Sequence, residues 1–349
     1  MALVQHYPAL KPEPSPLCSV CIANYNGAHM LAGCLDSVLA QTPGVPVEII
    51  VHDDASSDAS VAFLREHYPQ VEILASSDNV GFCIGNNRMV AHARGEYVLL
   101  LNNDAALFPD ALATLLEAAR SQERPGILTL PQYDWQSGDL VDRGCLLDPF
   151  YNPVPNLDAR RRDVAYVIGA CMFLPRTLWN ELGGFPEWLG SLAEDMYVCC
   201  LARLHGLPVQ AAQGGGYRHR QGASFGGNRA DASGLHTTYR RRALSERNKT
   251  AVMVVCTPTW LAWPLLALHC ALLAVEGALL ALLKRDARIW RGIYGPAIGY
   301  VLHHFGELRR RRRDVQGARQ VRPGVYWRGF TWRPRKLALL QRHGLPDLH

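Results

Sequence analysis

Three features of the first third of the chain predict an α/β fold with a mostly parallel sheet flanked by helices. Short apolar runs recur at Leu17–Ala23, Val45–Val51, Val71–Ala75 and Glu96–Leu101. Stretches with near-helical apolar spacing lie between them. Each run ends in a cluster of Asn, Asp, Ser or Gly. Alternation of this kind gives parallel β/α units, and right-handed crossovers bring the carboxyl ends of all the strands to one rim.

The first run ends in Asn24-Tyr25-Asn26-Gly27, a turn signal, and residues 29–40 carry Met30, Leu31, Leu35, Val38 and Leu39 at helical spacing. The second run ends in His52-Asp53-Asp54-Ala55-Ser56-Ser57-Asp58, where Ser57 or Asp58 is placed to cap the next helix. Asp53 or Asp54 can accept hydrogen bonds from a ring N–H or a ribose hydroxyl, and one of them can instead cap the helix. The third run leads into Asp78-Asn79-Val80-Gly81-Phe82, where Gly81 lets the backbone approach a ligand. Asn86–Arg94 reads as a helix, whose Asn86 and Asn87 can cap it or reach the rim. The fourth run enters Asn102-Asn103-Asp104 directly, with a helix start expected at Pro109. A carboxylate at the carboxyl end of a buried strand lies where open α/β sheets bind ligands. Asp104 is a hard oxygen donor that suits Mg²⁺ or Mn²⁺ beside a diphosphate; the plainer alternative is a cap for the following turn.

Beyond Thr129 the pattern weakens. Turn signals at Ser137-Gly138 and Asp148-Pro149 predict a hairpin or a looped excursion within Gln132–Pro149. Arg160–Arg162 reads as a solvated cluster. Tyr166–Leu174 is a further apolar run with Gly169 and Ala170 inside it. Glu194 and Asp195 precede an apolar helix, Met196–Leu204, at a position the helix dipole favours for acids.

The last third is different. Thr250–Val275 holds no Asp, Glu, Lys or Arg and is long enough to cross a bilayer as a helix. Pro258 and Pro264 interrupt it, Glu276 ends it, and cations flank it on both sides. A helical segment lying on a membrane surface is favoured over a full span, and a buried helix is the remaining alternative. Trp260, Trp263 and Trp290 suit an interface. The run Arg309–Arg313 suits acidic headgroups or a polyprenyl diphosphate. It has no aromatic platform beside it, so nucleic acid is not expected.

Composition agrees with a folded chain: 48% of the 349 residues are hydrophobic, enough for a sizeable core, and the net charge is +5. The ten cysteines lack metal-type spacing. Cys18 and Cys21 form a lone CxxC in an apolar strand and read as core thiols rather than a zinc or redox site, which fits a reducing compartment. The proline-rich start lacks the apolar core of a signal peptide. The organisation expected is a flexible leader over 1–16, an α/β domain over 17–248 in two halves, 17–125 and 126–248, and a helical, membrane-associated basic region over 249–349. GxGxxG and GxxxxGK[ST] motifs are missing, which disfavours dinucleotide and P-loop readings.

The series NYNG at 24–27, HDDASSDAS at 52–60, DNVGFCIGNN at 78–87 and LLNNDA at 100–105 resembles the inverting family 2 glycosyltransferases, in particular their bacterial rhamnosyltransferase-like branch. The resemblance covers residues 17–250 and implies a GT-A fold with a Rossmann-like sheet. It implies nucleotide-sugar contacts at Asn24, Asn26, Asp53, Asp54, Asn79, Gly81, Phe82, Asn87 and Asn103. It also implies a Mg²⁺ or Mn²⁺ ion at Asp104, helped by His219 from the segment Tyr217–Ser224. Asn102 stands where the family's first DxD aspartate would be. Gly183-Gly184-Phe185, followed by Glu194-Asp195, resembles the acceptor-side motif, in which the position of Asp195 is the catalytic base. The implied donor is dTDP-rhamnose or a UDP-hexose. The implied acceptor is a growing glycan or a polyprenyl-diphosphate-linked one, handled at the cytoplasmic face of a bacterial inner membrane. A catalytically silent nucleotide-sugar-binding subunit of a polysaccharide assembly complex is the competing reading.

Overall fold

The computed structural model describes residues 3–222, 227–231 and 234–348. It divides into two compact units. The first comprises Met1–Cys145, Pro155–Ala202 and Leu207–Arg220; the second comprises Leu146–Val154, Arg203–Gly206 and Gln221–His349. The main division therefore falls near residue 220, ahead of the boundary at 248 expected from composition. The helix that carries the apolar tail begins at Tyr239, and its polar first turns belong to the same unit as its apolar end.

The first unit is built on an eight-stranded sheet. Its centre consists of β2 (Cys18–Asn24), β3 (Val47–Asp53), β4 (Val71–Ser76) and β5 (Tyr97–Asn102), all parallel, in the order β4-β3-β2-β5. The edge strand β1 (Val4–Tyr7) runs antiparallel to β4. This corrects the flexible-leader expectation for residues 4–7. Proline content predicts a loose segment, but the open edge of β4 supplies backbone partners that local composition does not reveal. Helices α1 (Ala28–Leu39), α2 (Ser60–His67) and α3 (Phe82–His92) connect the parallel strands. The strands are almost wholly buried because both faces are covered, which is why they read as continuous apolar runs. Leu31, Leu35 and Val38 of α1 pack with Val20, Ile22, Leu99 and Leu101 in one core.

The chain after β5 does not enter a helix at Pro109. A short strand β6 (Ala105–Leu107) comes first, and α4 starts at Ala111 and runs to Arg120. Strands β7 (Ile127–Thr129), β8 (Gln132–Asp134) and β9 (Leu140–Asp142) follow; β8 and β9 form the expected hairpin. Two short strands, β10 (Cys145–Leu147) and β11 (Pro153–Pro155), precede β12 (Cys171–Pro175), which lies antiparallel to β5. Helix α5 (Arg176–Leu182), helix α6 (Glu194–Leu204), β13 (Val209–Ala211) and β14 (Tyr217–His219) complete this part. A second sheet, in the order β6-β14-β8-β9, caps the carboxyl end of β5.

In the second unit, helix α7 (Tyr239–Cys256) and helix α8 (Ala262–Leu283) divide the apolar tail at Pro258. Thr250–Cys256 is buried throughout, so the buried-helix alternative holds for that half. Pro264 lies in the first turn of α8, where its missing N–H disturbs nothing. Only α8, with 22 residues, is long and apolar enough to cross a membrane among the described residues. Its Leu266, His269, Leu273, Gly277 and Leu280 face inward, whereas Leu268, Leu272, Val275 and Leu279 are exposed. All ten cysteines are free thiols, and Cys18 and Cys21 are buried in β2, as the core reading expects.

Candidate active site

The rim is held by a chain of side-chain hydrogen bonds at the ends of three adjacent strands. Asn103 Nδ2 donates to Asn24 Oδ1 at 2.7 Å, and Asn24 Nδ2 donates to Asp53 Oδ2 at 2.9 Å. Ser56 closes the chain: its hydroxyl donates to Asp53 Oδ2 at 2.7 Å, and its amide donates to Asp53 Oδ1 at 3.0 Å. Asn26 joins from the neighbouring loop, its amide donating to Ser56 Oγ and its Oδ1 accepting from Ser57 N at 2.7 Å. Gly27 is the residue this cluster requires. A Cβ there would stand 2.1 Å from Asn103 Nδ2 and 2.5 Å from Asn24 Oδ1. The sequence marked Gly27 as a turn residue, but no local signal revealed this approach.

Neither Asp53 nor Asp54 caps α2. The Asp54 carboxylate instead accepts the amides of Val80 at 2.7 Å and Gly81 at 2.9 Å. It thereby holds the loop after β4 against the end of β3. Asn79 Nδ2 reaches the Asp54 carbonyl, and Gly81 sits at φ +88°, a conformation that favours glycine. The helix start is served by Asp58, which accepts from the amide and hydroxyl of Ser60 and from the amide of Ala28, bracing two helices at once.

Asp104 and His219 meet because β6 pairs with β14, in register Ala105 to His219. His219 Nε2 lies 3.1 Å from Asp104 Oδ1, and both side chains are buried. Asp104 leads into the short strand β6 rather than directly into a helix. A carboxylate oxygen and an imidazole nitrogen converging at a strand end are a donor set that fits a divalent cation. Arg220 follows directly, its guanidinium 4.0 Å from the Trp135 ring centroid. Ala223 and Ser224, the end of the segment tied to His219, lie outside the described residues.

A second group surrounds the start of α6. Asp195 is half-buried, whereas Glu194 beside it is buried. Asp195 Oδ2 accepts the Gly169 amide at 3.0 Å and Oδ1 accepts the Met196 amide at 2.7 Å, which fixes the carboxylate's orientation. Gly169 also faces Phe82, whose ring stacks on Phe185 at 5.8 Å. Asn87 is committed to that turn: its amide donates to the Phe185 carbonyl and its carbonyl accepts the Phe185 amide, both at 2.9 Å. It therefore ties α3 to the Gly-Gly-Phe turn. Leu192 and Ala193, immediately before the two acids, hold φ of +72° and +68°. Left-handed backbone at non-glycine residues costs roughly 1–3 kcal/mol each and gathers at functional sites. Sequence gives no sign of it.

A family model described as glycosyl transferase family 2 matches residues 19–182. Residues 19–182, just under half of the chain, are thus similar to a domain of that family. That stretch includes every rim residue up to Asp104 and the β12 strand, and the match stops before Asp195 and His219. The chain is 29% identical over 187 residues to a chondroitin synthase of Escherichia coli, covering 52% of this chain and 26% of that protein. It is 25% identical over 181 residues to an N-acetylglucosaminyl-diphospho-decaprenol L-rhamnosyltransferase of Mycobacterium tuberculosis, covering 43% of this chain and 59% of that one. The chain thus spans about a quarter of the length of the E. coli relative. Among solved structures, a mannosyltransferase of Pyrobaculum calidifontis in complex with GDP-Man and Mn²⁺ superposes with a TM-score of 0.50 at 18% identity, covering 84% of this chain and 88% of that one. The fold is the GT-A arrangement, with its mostly parallel sheet flanked by helices.

Proposed function

We propose that this chain is an inverting glycosyltransferase that moves a sugar, rhamnose in the first instance, from a nucleotide-diphosphate donor to a growing glycan or a lipid-diphosphate-linked acceptor. The observation that carries the reading is the buried Asp104–His219 pair at the end of β5, beside the Asn24–Asp53–Asn103 chain. Its support from relatives is the rhamnosyltransferase of M. tuberculosis and the Mn²⁺-bound mannosyltransferase. A UDP-hexose is the alternative donor.

Asn24, Asn26, Asp53, Asp54, Asn79, Gly81, Phe82, Asn87 and Asn103 build the donor side. Their hydrogen bonds to one another fix the loops after β2, β3, β4 and β5, so the backbone and the remaining polar atoms are presented without reorganisation. Asp104 and His219 would hold a Mg²⁺ or Mn²⁺ ion, which supplies charge stabilisation to the departing diphosphate. Asp195 takes the proton from the acceptor hydroxyl as that oxygen bonds to the anomeric carbon and the bond from that carbon to the diphosphate oxygen breaks. The proton ends on Asp195, the electron pair leaves with the diphosphate, and the anomeric centre inverts.

Helix α8 supports association with the cytoplasmic face of a bacterial inner membrane. It exposes an apolar stripe and has Lys284, Arg285, Arg288 and Arg291 after its end, as a helix lying at headgroup level would.

The test is transfer itself. Purified chain is given a panel of dTDP- and UDP-sugars with Mn²⁺ or Mg²⁺, and the products of lipid-diphosphate and glycan acceptors are analysed. Inverted product that disappears with Asp104→Ala supports the reading. Donor binding without transfer on any acceptor moves the assignment to a nucleotide-sugar-binding subunit.

A further inference from the structure

Far along the sheet from β5, three donor-bearing side chains from three elements converge. His6 lies on β1, Glu72 on β4 and His92 in the last turn of α3. His6 Nε2 is 3.0 Å from Glu72 Oε1, and His92 Nδ1 is 3.5 Å from the same oxygen. One ligand atom from each residue lies within 4.8 Å of the others. The convergence follows from the register. His6 stands opposite Leu74, so Glu72, two residues along β4, lies diagonally across on the same face. The end of α3 brings the second imidazole to that face.

We propose that His6, Glu72 and His92 form a transition-metal site that clips the N-terminal strand to the sheet edge. Two imidazole nitrogens and one carboxylate oxygen suit Zn²⁺, Co²⁺ or Ni²⁺ rather than Mg²⁺. Zinc holds such donors at about 2.0–2.2 Å, which places tetrahedral neighbours roughly 3.4 Å apart. The two contacts at 3.0 and 3.5 Å already bracket that spacing. Half of each imidazole remains exposed, with side-chain exposures of 45% for His6 and 47% for His92, so the ion enters from solvent and a water completes its shell. The backbone fixes two of the three ligands beforehand. β1 is laid on β4 over Val4–Tyr7, and Ser77 and Leu3 exchange a further pair of bonds at its end. The metal would add a bond among side chains of β1, β4 and α3 to an edge already held by strand pairing and by Tyr7 packed on the core and under Arg65. Because it binds the folded chain, it should raise the thermal midpoint. The site stands apart from the Asp104–His219 pair and does not depend on the proposed transfer reaction.

The test uses the full chain without an affinity tag, stripped by a chelator and titrated with Co²⁺ and with Zn²⁺. The expected result is the visible ligand-field absorption of imidazole-bound cobalt, with a zinc-dependent rise of several degrees in thermal midpoint that Mg²⁺ does not reproduce. Asp104→Asn, which removes the other donor pair, keeps both signals, and His6→Gln or His92→Gln added to that background abolishes them while leaving the circular dichroism spectrum unchanged. A cobalt band and zinc shift that survive either glutamine substitution, or that are missing from the unmodified chain, overturn the proposal.

Discussion

His219 Nε2 sits 3.1 Å from Asp104 Oδ1, although nearly a third of the chain separates them in sequence. The pairing of β14 with β6 makes this contact, so the strand that ends the first unit completes the site begun by β5. We expect His219→Ala to keep the fold yet weaken Mn²⁺-dependent nucleotide-diphosphate binding by 10- to 100-fold, on the order of 1.4–2.7 kcal/mol. Asp104→Asn should abolish the metal dependence. Calorimetry with and without Mn²⁺ reads both, and metal-dependent affinity unaltered in Asp104→Asn would remove the residue from the site.

Asp195 is oriented by two backbone amides and stands next to Gly169, which also faces Phe82. Asp195→Asn preserves shape and removes the proton acceptor. General base catalysis contributes roughly 10²–10⁴-fold, so turnover should fall by that order while donor affinity changes little. Glu194 is buried, and Glu194→Gln should act mainly on stability. A reversal of these two outcomes in steady-state kinetics would exchange the roles.

Gly27→Ala offers a cleaner probe of the rim. The added methyl meets Asn103 Nδ2 at 2.1 Å and Asn24 Oδ1 at 2.5 Å, so the Asn24–Asn103 bond must break or α1 must move. Overpacking of this kind costs about 1–3 kcal/mol. We expect a lower thermal midpoint together with a raised KM for the donor, since the loops after β2 and β5 lose their common brace. Unchanged KM would mean that the brace has no part in donor binding.

The parallel core was legible because strands buried on both faces must be apolar, and because Asn24, Asp53 and Asp104 mark their carboxyl ends directly. What escaped the sequence depends on partners remote along the chain. Ala105–Leu107 looks like a loop until β14 supplies its hydrogen bonds. Val4–Tyr7 looks loose until β4 offers an edge. The sequence leaves Asp54 facing a ligand or a helix start, and its carboxylate accepts the amides of Val80 and Gly81, residues some 26 positions on. In the tail, Pro258 identifies the break, but apolar residues fill both halves of Thr250–Val275 and do not show which half is buried. Glu276 looked like the end of an apolar run. It is an inward-facing acid paired with Arg242 at 2.7 Å and Lys336 at 2.6 Å.

Glu246 anchors the same network, 2.8 Å from Lys249, 2.8 Å from Lys336 and 3.2 Å from Arg242. Burial by itself would raise its carboxyl, but Lys249, Lys336 and Arg242 overcome it and hold the group well below its ordinary range. Burial lowers Lys249 to about 8 against the pull of Glu246. A depressed carboxyl contributes stability that is present above its unfolded value of 4.5 and is lost as pH falls through the folded value. Glu246→Gln leaves buried cations uncompensated and should cost roughly 3–5 kcal/mol at neutral pH. The loss should shrink as the pH falls below 4.5, where the unfolded chain takes up a proton before the native acid does. Denaturant melts of the two forms across pH 3–7 read the difference, and a gap constant over that range would exclude the ionic origin.

Leu268, Leu272, Val275 and Leu279 recur at spacings of four, three and four residues on α8 and are exposed together, while Leu273 and Leu280 on the opposite side are buried. A stripe of this shape facing water has no role in the core of its own unit. Against a bilayer it would bury apolar area worth about 1.5–3 kcal/mol for each fully inserted leucine. The triple change Leu268→Gln, Leu272→Gln and Leu279→Gln should therefore reduce partitioning onto anionic liposomes by at least about 40-fold, even at half that burial. The fold should survive, because none of the three side chains is buried in the second unit. Leu273→Gln makes the contrast: it should destabilise the chain by opening the core around Ile289, Ile293 and Tyr294. Liposome flotation alongside thermal melts separates the two effects. A triple variant that floats as well as the unmodified chain would mean that this stripe does not meet a membrane.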